Sequence, residues 1–199
     1  GITQACIYSA RAECDLNVIL VETGNLYRYE GVNKTIEYNG EFNYNRALNI
    51  GLKYAKGDIH ILANNDLIFR SGWSKIGELM KANGYHSASA YSRGMMVQQG
   101  DYLYEGYNIE SILTGWCLFI DDYVIKKIGK LDESVNFWYS DNLYADQIRK
   151  AGIKHALFAN CQVDHIGSVT LKKTANKIRR KYELGQLAVY NERAKHYDN

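Results

Sequence analysis

The chain has 199 residues, of which 46% are hydrophobic and 23% charged, and its formal net charge is only +2. That profile fits one globular domain, 1–199, with a substantial core, and it argues against disorder. It also removes any global electrostatic case for nucleic acid or an anionic membrane surface, and no apolar stretch approaches the roughly 20 residues of a spanning helix.

Taken in chain order, "NVILVE" (17–22) reads as a strand ending at a turn, and "NKTIEY" (33–38) as a shorter one. "FNYNRALNIGLKYAKGD" (42–58) carries apolar positions at helical spacing, with Gly57 expected to end the helix. The next strand, "DIHILA", runs into the polar cluster Asn64, Asn65 and Asp66. An amphipathic helix follows over 71–84 and an alternating strand over 86–93, whereas 94–110, rich in Gly, Gln and Tyr, reads as a hairpin or mobile loop. "GWCLFID" (115–121) is a buried strand, "DYVIKKIGK" a helix, and "SDNLYADQIRKAG" (140–152) a helix with Asp141 in its first turn. "IKHALFA" (153–159) and "CQVDHIG" (161–167) complete a sheet region, and a basic helical tail occupies 171–199. This alternation predicts an α/β domain with a largely parallel sheet.

The four cysteines, Cys6, Cys14, Cys117 and Cys161, have neither the close pairing of a zinc site nor the density of a disulfide scaffold. Free thiols and a cytoplasmic location are expected. Within the tail, "LKKTANKIRRKY" (171–182) holds six basic residues and no acidic one, a solvated helix face or a contact for an acidic partner.

Open α/β sheets bind ligands beyond the carboxyl ends of their strands. Glu22, the 64–66 cluster, Asp141 and His165 all lie at or just past such ends. Each has an ordinary structural role available: a turn for Asn64 to Asp66 and Glu22, a helix cap for Asp141, a hydrogen-bonded sheet-end imidazole for His165. Brought together, a carboxylate and an imidazole can hold a divalent cation.

The order of these motifs resembles the family 2 glycosyltransferases with the GT-A fold, over roughly residues 5 to 168. The most specific stretch is "FNYNRALNIGLKYAKGDIHILANNDLIF", similar to the family's Asn-x-Gly helix and the strand that ends in Asp-x-Asp. "TGWCLFIDDYVIKKIGKLDE", "SDNLYADQIRKAG" and "VDHIGS" resemble later family segments, and "GITQACIYSARAEC" resembles the helix after the family's first strand. The resemblance implies a Rossmann-like, mostly parallel sheet flanked by helices, lacking one central strand unless this is a fragment or another segment fills the gap. It implies a nucleotide-sugar donor, most often a UDP-sugar, contacted by Glu22, Asn49, Asn64 and Asn65. Asp66 and His165 become ligands of Mn2+ or Mg2+, and Asp141 the general base, with Asp146 a competitor for that role. Asn64 stands where the family has an aspartate, and Ser140 and Leu143 stand at two further acidic positions, so the carboxylate set is reduced.

The implied reaction moves a hexosyl or pentosyl unit to an acceptor hydroxyl on a glycan, protein, lipid or modified nucleic-acid base, with inversion. Two other readings are open: a catalytically silent nucleotide-sugar or glycan-binding module, and a glycosyltransferase of hydroxylated nucleic-acid bases that uses Lys172, Lys173, Arg179 and Arg180 on phosphates.

Overall fold

The computed structural model describes residues 1–24, 26–167 and 176–197, the side chains of 176–182 excepted. Lys172, Lys173 and Ser168 therefore lie outside the described residues, as do the side chains of Arg179 and Arg180.

The elements are α1 (Ile2–Arg11), β1 (Ile19–Glu22), β2 (Lys34–Glu37), α2 (Tyr44–Leu52), β3 (Ile59–Ala63), β4 (Leu67–Phe69), a 3-10 turn (Trp73–Lys75), α3 (Ile76–Asn83), β5 (Ser87–Tyr91), β6 (Leu103–Glu105), β7 (Cys117–Asp121), α4 (Asp122–Ile128), α5 (Ser140–Lys150), β8 (His155–His165) and α6 (Asn176–Ala194). β1 and β2 form a two-stranded parallel sheet, and a six-stranded sheet runs in the order β3-β7-β5-β8-β4 with β6 also on β8. In the larger sheet β5 and β8 are parallel, while β7 runs against β3 and β5, and β4 and β6 run against β8. β4 and β6 both pair with β8, which is distant from them in the chain, so the mixed pairing comes from long-range partners rather than from hairpins.

The faces of β7 show how the sheet is covered. Cys117 and Phe119 point into one core with Cys6 and Ala10 of α1 and with Ile76 and Met80 of α3. Leu118 and Ile120 point into the other, with Val124 of α4 and with Tyr144, Ala145 and Ile148 of α5. A strand buried on both faces reads as an unbroken apolar run, which is why "CLFI" was legible. Each such fully buried side chain stabilises the fold by about 2 kcal/mol relative to exposure.

Five parts of the chain differ from expectation. α2 begins after Asn43, whose side chain accepts from the Arg46 amide, and it ends at Leu52, with Lys53 as its C-cap, rather than at Gly57. The span 71–84 is a 3-10 turn followed by α3. β4 and β6 are strands that periodicity misses because three residues are too few to show alternation. The two expected strands over 153–167 are one strand, β8, in which the register with β5 shifts between Ala90 and Tyr91.

Among the described residues no strand joins β1 to β3, and helices hold the two sheets together. α2 packs on β1 while its Leu48 and Leu52 reach the second core. From α1, Arg11 donates to the Leu16 carbonyl and to Asn33 Oδ1, both at 2.7 Å. The other side of α1 lies along β4, where Ser9 Oγ accepts from the Phe69 amide at 3.0 Å.

Candidate functional site

The antiparallel β4–β8 ladder pairs Leu67 with His165, so Asp66 and His165 meet at its end. The Ile166 amide donates to the Asp66 carbonyl at 3.0 Å and closes that corner. Asp66 Oδ1 lies 3.2 Å from His165 Nε2, with side-chain exposures of 13% and 23%. Apart from each other, these two buried atoms have no hydrogen-bond partner among the described residues. Burial pushes the Asp66 carboxyl up, but hydrogen bonds from His165 and Asn64 and the charge of His165 outweigh it and hold the group below its ordinary range.

Two ligand atoms bound at right angles to one cation, each about 2.2 Å from it, stand about 3 Å apart. The Asp66 and His165 atoms have that spacing and no other partner among the described residues, so they fit a divalent cation. Among the described residues no third His, Cys, Asp or Glu joins them, so the protein offers this corner two ligand atoms from such side chains. Trp116 stacks on the His165 ring at 5.3 Å between centroids and 20° between planes, which fixes the direction of its nitrogens.

Asp141 occupies the first turn of α5, where its Oδ1 accepts from the Asn142 amide at 3.0 Å. Burial raises its carboxyl above the ordinary value, the local amides oppose this, and the charge of Glu110 adds to it. The two halves of the site meet at consecutive residues. Gly115 lies so close to Asp141 that a Cβ at 115 would overlap the Asp141 Cβ, and Trp116 carries His165. The Tyr44 hydroxyl donates to the Gly115 carbonyl at 3.0 Å. Its own ionisation is pushed up by burial first and then by the charges of Cys117, Asp141 and Asp66, so Tyr44 stands within the field of both carboxylates. Among the described residues, the two non-glycine ones with positive φ also flank Asp141: Tyr139 at 66° and Glu110 at 67°. Backbone in that region costs of order 1 to 3 kcal/mol and clusters at functional sites.

Other expected contacts are held elsewhere. The structure does not bring Asn49 to this corner: its carboxamide donates to the Leu131 carbonyl and Glu133 Oε1, both at 2.9 Å, and accepts from the Leu131 amide at 3.0 Å. An Asn with its donors and acceptor so engaged clamps α2 to the turn after α4. Asn65 donates to Thr3 Oγ1 at 3.0 Å and so ties the loop to α1. Asn64 is nearer the centre. Its amide donates to the Trp116 carbonyl at 2.9 Å and its side chain reaches Asp66. Glu22 ends β1 in the smaller sheet and accepts from the Tyr27 amide at 2.9 Å. Asp146 is buried and bonded to Arg149 and to Tyr190 of α6, which leaves Asp141 as the carboxylate of α5 that faces the site. Tyr44, Glu110 and the stacking of Trp116 carry no mark in the sequence; only the glycine of "TGW" hints at a close approach.

No family model and no curated protein matches the chain. Solved structures do. GalNAc-T7 with UDP, GalNAc and Mn2+ superimposes with a TM-score of 0.63 at 12% identity, over 81% of this chain and 39% of that one. S. aureus TarS gives 0.62 at 10% identity, over 84% of this chain and 34% of that one. TarS 1–349 gives 0.60 at 10% identity, over 81% and 57%. The chain thus has the α/β fold of GT-A glycosyltransferases and spans between about a third and three-fifths of the length of these structures.

Proposed function

We propose that the chain transfers a sugar from a nucleoside-diphosphate sugar, UDP-linked, to an acceptor hydroxyl, with inversion at the anomeric carbon. The observation that carries this reading is the pair Gly115–Trp116, which sets a cation-fitting Asp66–His165 corner on one side and a half-buried carboxylate, Asp141, on the other. The GT-A fold raises the prior by analogy.

Asp66 and His165 would hold Mn2+ or Mg2+, which when bound neutralises charge on the departing diphosphate. Asn64 holds the Asp66 carboxylate on its bearing, and Trp116 does the same for the His165 ring. Asp141 accepts the proton of the acceptor hydroxyl as the new bond forms; its raised pKa makes the ionised carboxylate a stronger base. Tyr44 and Gly115 keep that carboxylate in place. Glu22, at the end of the smaller sheet, is the group available to a nucleoside if the donor extends that far.

The test is a melting curve with UDP, dTDP, GDP and CMP, each with and without manganese, followed by release of UDP from a panel of UDP-sugars. Saturation at about 100 times the dissociation constant adds roughly 2.7 kcal/mol. A manganese-dependent shift with one nucleotide, absent in Asp66→Ala, and turnover abolished in Asp141→Asn support the reading. Nucleotide binding without turnover of any donor replaces it with a silent binding module, for which the loss of an acid at Asn64 is the motive.

A further inference from the structure

A chain of fully buried polar groups crosses the second core, where polar atoms are costly unless every one finds a partner. Ser87 and Ser89 alternate onto one face of β5, and His155 on β8 pairs with Ser87 across the parallel ladder. Ser87 Oγ lies 2.7 Å from His155 Nδ1 and 2.6 Å from the Tyr144 hydroxyl. Ser89 Oγ lies 3.1 Å from His155 Nε2 and accepts from the Thr114 amide at 3.0 Å. Ser87, Ser89 and His155 are wholly excluded from solvent, and Tyr144 and Thr114 nearly so.

The two ends of this chain are the two elements that meet at the proposed base. Tyr144 lies one turn beyond Asp141 on α5, so its hydroxyl fixes how far that helix is rotated and advanced. Thr114 precedes Gly115, whose lack of a side chain admits Asp141. Burial drives the imidazole pKa down to about 3, so the ring is neutral and offers one donor and one acceptor, as a relay between two hydroxyls requires. The Ile112 carbonyl also bonds the ring, which draws in the rest of the turn.

We infer that His155 is a positioning residue: through Ser87–Tyr144 on one side and Ser89–Thr114 on the other, it holds α5 and the 113–116 turn in the register that seats Asp141 against Gly115. This role rests on the assignment of Asp141 as base under the proposed function, although the geometry it predicts can be read without turnover.

The experiment compares wild type with Ser89→Ala, Tyr144→Phe, His155→Gln and His155→Leu. The first two remove one hydroxyl each and keep the core filled. Two readouts are taken: UDP release from the donor panel, and the Asp141 carboxyl titration followed by carbon-detected NMR. In Ser89→Ala and Tyr144→Phe, turnover at saturating donor is expected to fall about tenfold with the donor KM unchanged, and the Asp141 titration to move toward the ordinary carboxylate range as water enters beside Gly115. His155→Leu is expected to lose about 100-fold, and His155→Gln, which keeps a partner for Ser89, to recover part of that. A folded Ser89→Ala and Tyr144→Phe with an unaltered Asp141 titration would overturn the inference. Absence of UDP release by the wild type would count against the proposed function, and the titration would still decide the positioning role.

Discussion

Gly115 and Asp141 are packed so closely that the glycine's missing side chain is what makes room for the carboxylate. Gly115→Ala therefore has to displace Asp141 or the turn. A displacement near 1 Å at a reacting group costs on the order of 100-fold. Turnover should fall by that factor while manganese-dependent stabilisation by UDP persists, because Asp66 and His165 are untouched. Donor hydrolysis and melting curves measured on the same preparation check this.

Asp141 also predicts a conflict between function and stability. Its folded pKa is raised, so the folded state favours the protonated form, and stability declines as pH rises from the unfolded to the folded value. Asp141→Asn removes the buried charge and keeps the shape. At neutral pH the variant should melt above the wild type, and below the unfolded carboxylate pKa the two should converge. A variant that melts below the wild type at pH 7 would refute the claim that ionised Asp141 is a strained guest.

Glu110 supplies the lesser part of that shift, through like-charge repulsion after burial. In Glu110→Gln the Asp141 carboxyl should titrate at lower pH, and the acid limb of the rate profile should move the same way, because the base has to be ionised to accept a proton. A pH–rate profile on any active donor reads the direction.

Asp66 behaves oppositely. Its folded pKa is depressed, so the stability it contributes is complete above the unfolded value and is lost as pH falls through the folded one. His165→Ala should shorten that acid-side loss and abolish manganese-dependent stabilisation by UDP, a change of roughly 2.7 kcal/mol at saturating nucleotide. Differential scanning calorimetry between pH 3 and 8, with and without manganese and UDP, separates the two effects.

Far from the site, Asp132 anchors the end of α6. Burial raises its carboxyl, but hydrogen bonds from Ser134, Tyr197 and Arg193 bring it from the ordinary 3.8 down to about 2. That shift is worth about 2 kcal/mol above pH 4, lost as pH falls toward the folded value. Asp132→Asn should lower stability by that order in urea at pH 7, and the difference should vanish near pH 2.

The parts of this fold that could be read from sequence are those whose signal is local. The doubly buried β7 and the helix carrying Asp141 each show in a run of a few residues. The candidate residues Asp66, Asp141 and His165 stand out for the same reason, since each is polar where an apolar run stops. What sequence could not show is pairing at a distance. β4 is three residues long, yet it is the ladder that sets Asp66 beside His165. Asn49 is a donor contact by resemblance alone, and its actual partners, Leu131 and Glu133, are some eighty positions away in the chain, where no local pattern reveals them. Tyr44 and Glu110 acquire their meaning only from the Asp141 field, which no spacing encodes.

The register shift in β8 makes one stretch of the chain intolerant of a change in length. Between Phe158 and Gln162 the strand carries residues that β5 does not match, and the count of those residues decides which face His165 presents to Trp116. Side chains alternate with a period of two, so the loss of a single codon there would invert every later position of β8 and turn His165 away from Asp66. Residues 94–101, outside any strand, carry no such parity. Insertions and deletions among descendants of this chain should therefore collect in that segment and be absent between 158 and 162.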